Sequence, residues 1–551
     1  MSVVRPDVRS ADYWGDPMVD GQSRRRKRWP VVGVAVGALV FTGVGVGAAE
    51  AAAAPSSMTF VAAAKTVTAE RYDSDGDVYL SLDLGLHVIA GKDPFEVRAT
   101  RAGYDKPIKA TRLVVKKGKK TRVALPAGTV KDFTGLKDFT TIVITDKAGK
   151  TVAKYSTAFC GNAWSSARTR RDAPATNPYP TRCGGENPFT LGAVWGVQAG
   201  WNSPVADQPT SGTGLSKLKA GKYTATATVN PKYRKIFGIP AAKGTAKVAV
   251  NVVDVKADEE ELASARASDA KEEPALRAGV AGAHVHGAGD ESRQVSSYLP
   301  EFRAAASRPV TMSAAPKTGP KPDLRSLPAW GISISQGADE KTGQPDGKWY
   351  VNFGATVWNA GTSPLVVDGF RRSGTGLMDA YQYYFDAKGK QVGSKAAGTM
   401  EWDPREGHNH WHFTDFAQYN LLKADKKFAV RSGKEAFCLA NTDAVDYTIA
   451  GAKWRPDNTS LETSCGANTV VAVREVLDIG NGDTYSQDRP GQSFDITNLK
   501  NGTYYIEVKA NPSNRLAELT TKNNTALRKI IIGGTAKKRT LTVPKVNGIA
   551  G

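Results

Sequence analysis

LKAGKYTATATVNP, residues 218–231, returns as LKNGTYYIEVKANP, residues 499–512. Each copy is a glycine turn feeding an alternating, β-branched and aromatic run that closes on Asn-Pro, the pattern of a half-buried strand. The match extends upstream in the same order. Ala90-Gly91 with Pro94 and Val97 parallels Ala360-Gly361 with Pro364 and Val367. Asp138-Phe139 parallels Asp415-Phe416, and Ala158-Phe159-Cys160 parallels Ala436-Phe437-Cys438. The offsets, 270, 277, 278 and 281, drift as a diverged duplication with small insertions drifts. The expected fold is therefore mainly β, two related β-sandwich-like domains. Further runs agree: TRLVVKKGKKTRVAL (111–125), TTIVITDKAGKTVAKYS (140–156) and KWYVNFGATVWNAG (348–361) alternate between Gly and Asn turns, and helical periodicity is nearly absent.

Around the two copies lie segments of different composition. Arg24 to Arg28 form a basic cluster before an apolar stretch from Trp29 to about Ala48, and small residues follow to Ala54. This reads as an export signal over 1–55, of bacterial character, with a retained anchor as the competing reading. Residues 256–318 turn from acidic to Ala, Pro and Ser rich, too polar to bury a core, and read as a disordered linker. His284 and His286 fall in it. The expected order is thus signal 1–55, first β domain 56–255, linker 256–318, second β domain 319–534 and flexible tail 535–551.

Charge and cysteine usage agree with export. The 551 residues carry a net charge of +20, only +2 of it in the first 50, so an exported chain should be drawn to anionic cell-wall polymers or acidic partners. The basic residues are scattered, with no basic helix or aromatic-interleaved patch, which argues against nucleic acid. Four cysteines, at 160, 183, 438 and 465, fall into two similarly spaced pairs, one per domain. That predicts disulfides Cys160–Cys183 and Cys438–Cys465, and a four-thiolate zinc site lacks the C-x-x-C it would need.

Half of the six histidines stand at alternate positions in five residues: His408, His410 and His412. In a strand all three face one side, with Asn409 and Trp411 facing the other. A flat strand parts the outer two by about 13 Å at roughly 3.3 Å per residue, so the strand must bend or bulge if they share one ion. Three imidazoles with an open position suit Cu(II) or Zn(II) alike.

From His408 onward, HNHWHFTDFAQYNLL (408–422) resembles the copper-binding segment of the lysyl oxidases. KEAFCL (434–439), GDTYSQD (482–488), DITNLKNGTYYIEVKANP (495–512) and ELTTKNN (518–524) resemble the family's other signatures in the same order. The resemblance covers about 322–533. It implies a secreted copper amine oxidase, with Cu2+ on His408, His410 and His412 and a lysine tyrosylquinone built from Lys434 and Tyr485. Its reaction would take primary amines, peptidyl lysine or small amines, with O2 to aldehyde, H2O2 and NH3. Asp483 and Asp415 are the carboxylates placed by sequence to act as base or to orient the site. The other class of reading is a non-enzymatic copper-binding or surface adhesion protein that retains the fold.

The first copy lacks these residues. In the frame of Asp138-Phe139, the three histidine positions hold Lys131, Phe133 and Gly135; Ser156 stands for Lys434 and Pro204 for Tyr485. The first domain therefore reads as a non-catalytic copy serving docking, wall attachment or support.

Overall fold

The computed structural model describes residues 58–74, 77–206, 209–255, 309, 313, 315–338, 345–372, 375–404, 409–414, 416–432, 436–455, 463–487 and 493–550. The expected signal segment and all but a few residues of the expected linker lie outside them. The architecture is mainly β, as the alternating runs predict, and the one α-helix among the described residues is Pro231–Phe237. No helix among them is long and apolar enough to cross a membrane.

The first half builds three sheets. A short one runs Thr59–Ala62, Leu86–Ile89, Asn202–Pro204; a second runs Gly192–Val197, Phe95–Thr100, Lys109–Lys116, Lys119–Ala124. The third includes Thr151–Phe159, Leu136–Thr145, Gly221–Val229 and Thr245–Val255 in that order. The second half repeats the plan. Its first sheet runs Leu324–Ser326, Pro345–Asn359, Asn481–Gln487, Asp443–Ala444. The second runs Ala436–Phe437, His410–Thr414, Gln391–Asp403, Leu377–Phe385, Leu365–Arg371, Ala472–Leu477. The third runs Phe428–Arg431, Ala417–Lys423, Gly502–Ala510, Thr525–Thr535, Lys538–Thr542.

The repeated stretch forms a corresponding strand in each half. Along Gly221–Val229 the buried residues are Ala225, Ala227 and Val229, and along Gly502–Ala510 they are Tyr504, Ile506, Val508 and Ala510, each set on one face of its strand. Tyr223 donates its hydroxyl to the Lys219 carbonyl at 3.0 Å, and Tyr504 does the same to Lys500 at 2.7 Å. Both strands end alike, with Asn230 N–H bonded to Phe139 O at 2.8 Å and Asn511 N–H to Phe416 O at 2.7 Å. There the halves part: the Asn230 side chain caps the short helix by accepting from Lys232 N–H, while Asn511 turns at φ 46° into an irregular loop.

Each half has its own apolar core, and two smaller clusters join them. Phe189 of the first half packs with Leu327, Trp330, Trp358 and Val445 of the second, and Tyr179 and Val194 pack with Tyr447. Each large apolar side chain so buried contributes about 1.5–3 kcal/mol. The chain also runs on past the expected boundary at 534. Thr525–Thr535 turns directly into Lys538–Thr542, which pairs back on it as the last strand of the third sheet. The expected tail is thus partly strand, because KRTLT alternates and finds an open sheet edge.

Candidate metal and cofactor site

The strand His410–Thr414 starts at His410 because Asn409 sits at φ 39°, outside the extended region. The strand runs antiparallel to Gln391–Asp403, with Asp403 opposite His410, Trp402 opposite Trp411 and Glu401 opposite His412. His410 and His412 share one face of the strand and are both buried. Their Nε2 atoms stand 2.9 Å apart, with the rings at 73°. Asp403 Oδ2 lies 3.5 Å from His412 Nδ1, which favours a proton on that nitrogen and a lone pair on Nε2.

Two nitrogens on one ion, each at roughly 2.0–2.1 Å, stand about 3 Å apart, so the pair fits adjacent positions of one metal. His408 lies outside the described residues. Among those described, no three His, Cys, Asp or Glu side chains converge into a metal cage. Trp411 faces the other way, fully buried. Its indole N–H donates to Ala467 O at 3.2 Å, and the Arg371 guanidinium sits 5.1 Å over the ring.

Tyr485 lies on Asn481–Gln487, opposite Ala355, and points into the same core with Trp411, Phe413 and Phe437. Its hydroxyl donates to the Cys438 carbonyl at 2.6 Å, and the Phe437 ring packs edge-on against it at 4.8 Å. Cys438 is bonded to Cys465, whose carbonyl accepts the Trp411 N–H at 3.0 Å. The disulfide therefore braces the backbone between the two histidines against the residue that holds the tyrosine hydroxyl. Phe413 pairs with Phe437 and Thr414 with Ala436, a second link between the two. Lys434, two residues before Ala436, and Asp415 lie outside the described residues. The other predicted bond, Cys160–Cys183, is formed in the first half.

Asp483, two residues before Tyr485 on the same face, is buried. Beside it lies a carboxyl that sequence reading passes over. Glu475 is fully buried, and its Oε2 accepts the Leu439 N–H at 3.0 Å. That amide belongs to the same peptide whose carbonyl takes the Tyr485 hydroxyl. Burial pushes the Glu475 carboxyl well above the usual range, and the charge of Asp483 adds to the rise. Burial, with the same charge, also raises the Tyr419 phenol. The available signal was phase: Glu475 shares a strand face with Val473 and Leu477, so a charged residue stands where the period calls for an apolar one. Asp403 carried no such signal, because only the strand pairing brings it to the histidines.

Known proteins share part of this region. The family model described as Lysyl oxidase matches residues 381–540. The protein-lysine 6-oxidase of Sus scrofa is 34% identical over 125 residues, 22% of this chain and 44% of that protein. The protein-lysine 6-oxidase of Homo sapiens is 34% identical over 125 residues, 26% of its length. Lysyl oxidase homolog 3 of Homo sapiens is 30% identical over 129 residues, 15% of its length. The chain thus spans less than half the length of each of these relatives.

Proposed function

We propose that this chain, whose residues 381–540 carry the match to the lysyl oxidase family, is a secreted copper-dependent amine oxidase. The reaction takes a primary amine, O2 and water to an aldehyde, NH3 and H2O2. The observation that carries the reading is the convergence of the His410 and His412 Nε2 atoms at 2.9 Å on a strand braced through Cys438–Cys465 to the Tyr485 hydroxyl. His408, His410 and His412 would hold copper, and Lys434 and Tyr485 would be joined as lysine tyrosylquinone. When bound, the two groups supply the electron transfer from amine to O2 that no ordinary side chain provides.

The chain's own groups do the rest. Asp403 favours the His412 tautomer that carries its proton on Nδ1. The Cys438 carbonyl and the Phe437 ring fix the plane and tilt of Tyr485. Asp483, inward on the same strand, would take the substrate α-proton, and Glu475, whose carboxyl burial pushes well above the usual range, would hold a proton beside it. A lysine-bearing extracellular protein or a small extracellular amine is the substrate class, and the high positive charge suits anionic cell-wall polymers as a docking surface. The matching strand order of the two halves supports an internal duplication with a non-catalytic first copy.

The test is copper loading of the metal-free protein in air, followed by intact mass and peptide mapping across 434 and 485. A cross-linked peptide with quinone absorbance, and amine-dependent H2O2 release abolished by Tyr485→Phe, are expected. Two separate unmodified peptides would leave a copper-binding protein without oxidase chemistry.

A further inference from the structure

The strand that carries Tyr485 has a second face. Asp483 and Tyr485 point into the second-half core, so Gly482, Thr484 and Ser486 point to the opposite side of the sheet. That side is covered by the first half. Asn187, buried at 2% exposure, donates its amide to Thr356 Oγ1 at 2.9 Å and to Asp443 Oδ2 at 3.1 Å. The Thr356 hydroxyl lies 2.6 Å from that of Thr484, which in turn donates to Asp443 Oδ2. Trp330 donates its indole N–H to Thr356 at 3.1 Å. A run of hydrogen bonds thus passes through Thr484, the residue bonded to Tyr485, to the Asp443 carboxyl, and the first half supplies its outer member.

The loop bearing Asn187 is held on both sides. Asn187 Oδ1 accepts the Phe189 N–H at 2.9 Å, closing a local turn. Arg101 donates to the carbonyls of Thr190 and Pro188, and its guanidinium rests 5.3 Å from the Phe133 ring. Next along the chain, Leu191 N–H bonds to Val445 O at 2.7 Å and Tyr447 N–H to Gly192 O at 2.9 Å, so the two halves join in one backbone ladder. Gly192 is needed there because a β-carbon would collide with Asp446 Oδ1 and Thr448 Oγ1.

We propose that Asn187, through Asp443 and Thr484, is a positioning residue for Tyr485, so that the first half completes the site of the second. A donor lost at Asn187 leaves a buried carboxylate and hydroxyl short of a partner, and the strand relieves this by shifting. A shift of well under an ångström matters where two side chains must meet to form one covalent bond. The use made of this placement rests on the amine oxidase reading; the placement itself does not.

The experiment uses the full chain. Asn187→Ser keeps an oxygen for the Phe189 N–H but loses the amide donor, and Thr484→Val and Thr484→Ser remove and keep the hydroxyl at the far end. In metal-free protein, N187S and T484V should raise amide exchange across 481–487 by at least about tenfold and leave 221–229 unchanged. On copper loading in air, both should bind copper as the parent does yet form quinone absorbance at least about tenfold more slowly, with T484S near the parent rate. Parental exchange and parental quinone formation in N187S overturn the proposal. A parent that binds copper and forms no quinone overturns the oxidase reading instead, and the exchange result still decides the placement.

Discussion

The strand that carries His410 and His412 has a counterpart in the first half, and the two are filled in opposite ways. Leu136 pairs with Phe159 as Phe413 pairs with Phe437, which sets Gly135 level with His412 and Phe133 level with His410. Trp195 faces Val97 as Glu475 faces Val367, and Pro204 faces His87 as Asp483 faces Val357. The ladder thus moves Pro204 two residues from the place that sequence alignment assigns it, beside Asp483 rather than Tyr485. Neither placement puts a tyrosine in the first half. Where one half gathers imidazole and carboxyl, the other holds a buried phenyl ring, a buried indole and a part-buried proline. One backbone plan can therefore carry either a polar site or a sealed core, and side chains at a few inward positions decide which.

Several substitutions would break or sharpen that contrast. The largest effect is expected from replacing His410 and His412 together by Ala, which should abolish stoichiometric copper binding measured by metal analysis of the dialysed protein. Phe133→Ala, at the matching place, should leave copper binding intact and cost about 3–5 kcal/mol of stability through the cavity it opens, read by denaturant unfolding. Equal effects on copper from both would end the comparison.

Glu475 makes the next test. The folded protein keeps a proton on Glu475 that the unfolded chain releases near the ordinary Glu value, so stability falls as pH rises from that value toward the raised one. Glu475→Gln removes that descent. Unfolding midpoints taken at intervals from about pH 4 to about pH 8 should fall less steeply in the variant than in the parent. A parental slope would place the bound proton elsewhere.

The two disulfides differ in the same sense. Loss of either by paired Cys→Ser substitution should cost about 2–4 kcal/mol. Only loss of Cys438–Cys465 should also slow quinone formation, because only that bond joins the histidine strand to the Tyr485 acceptor. The smallest effect is expected at Gly135, where φ is 136° and a β-carbon would lie 3.1 Å from Phe159 O. Gly135→Ala should cost about 1–3 kcal/mol, read by thermal or denaturant melts. A neutral result would mean that the first-half strand can relax to the shape seen around His412.

Much of this was legible in the chain. The recurrence of LKAGKYTATATVNP pointed to the strand that both halves share, and alternation marked its buried face. The spacing of His408, His410 and His412 called for a bend if they share one ion, and Asn409, just before the strand, sits at φ 39°. The cysteine spacing named both bonds. Glu475 was missed because a charged residue in a strand is read as facing solvent unless the burial of its own face is known. Asn187 was missed because it stands in ENPFTLG, an ordinary turn sequence, with its partners 169 and 256 residues away.

Sequence by itself determined the β class, the alternation that sends chosen side chains inward and the cysteine pairs. These follow from local chemistry, since strand period, turn residues and donor type are properties of neighbouring residues. Only the tertiary structure decided that Asp403 faces the histidines, that Glu475 and Tyr485 share one peptide, and that the first half lies against the back of the Tyr485 strand. Those relations depend on which strands pair and which faces meet. That choice is made by burial across hundreds of residues, and no local pattern records it.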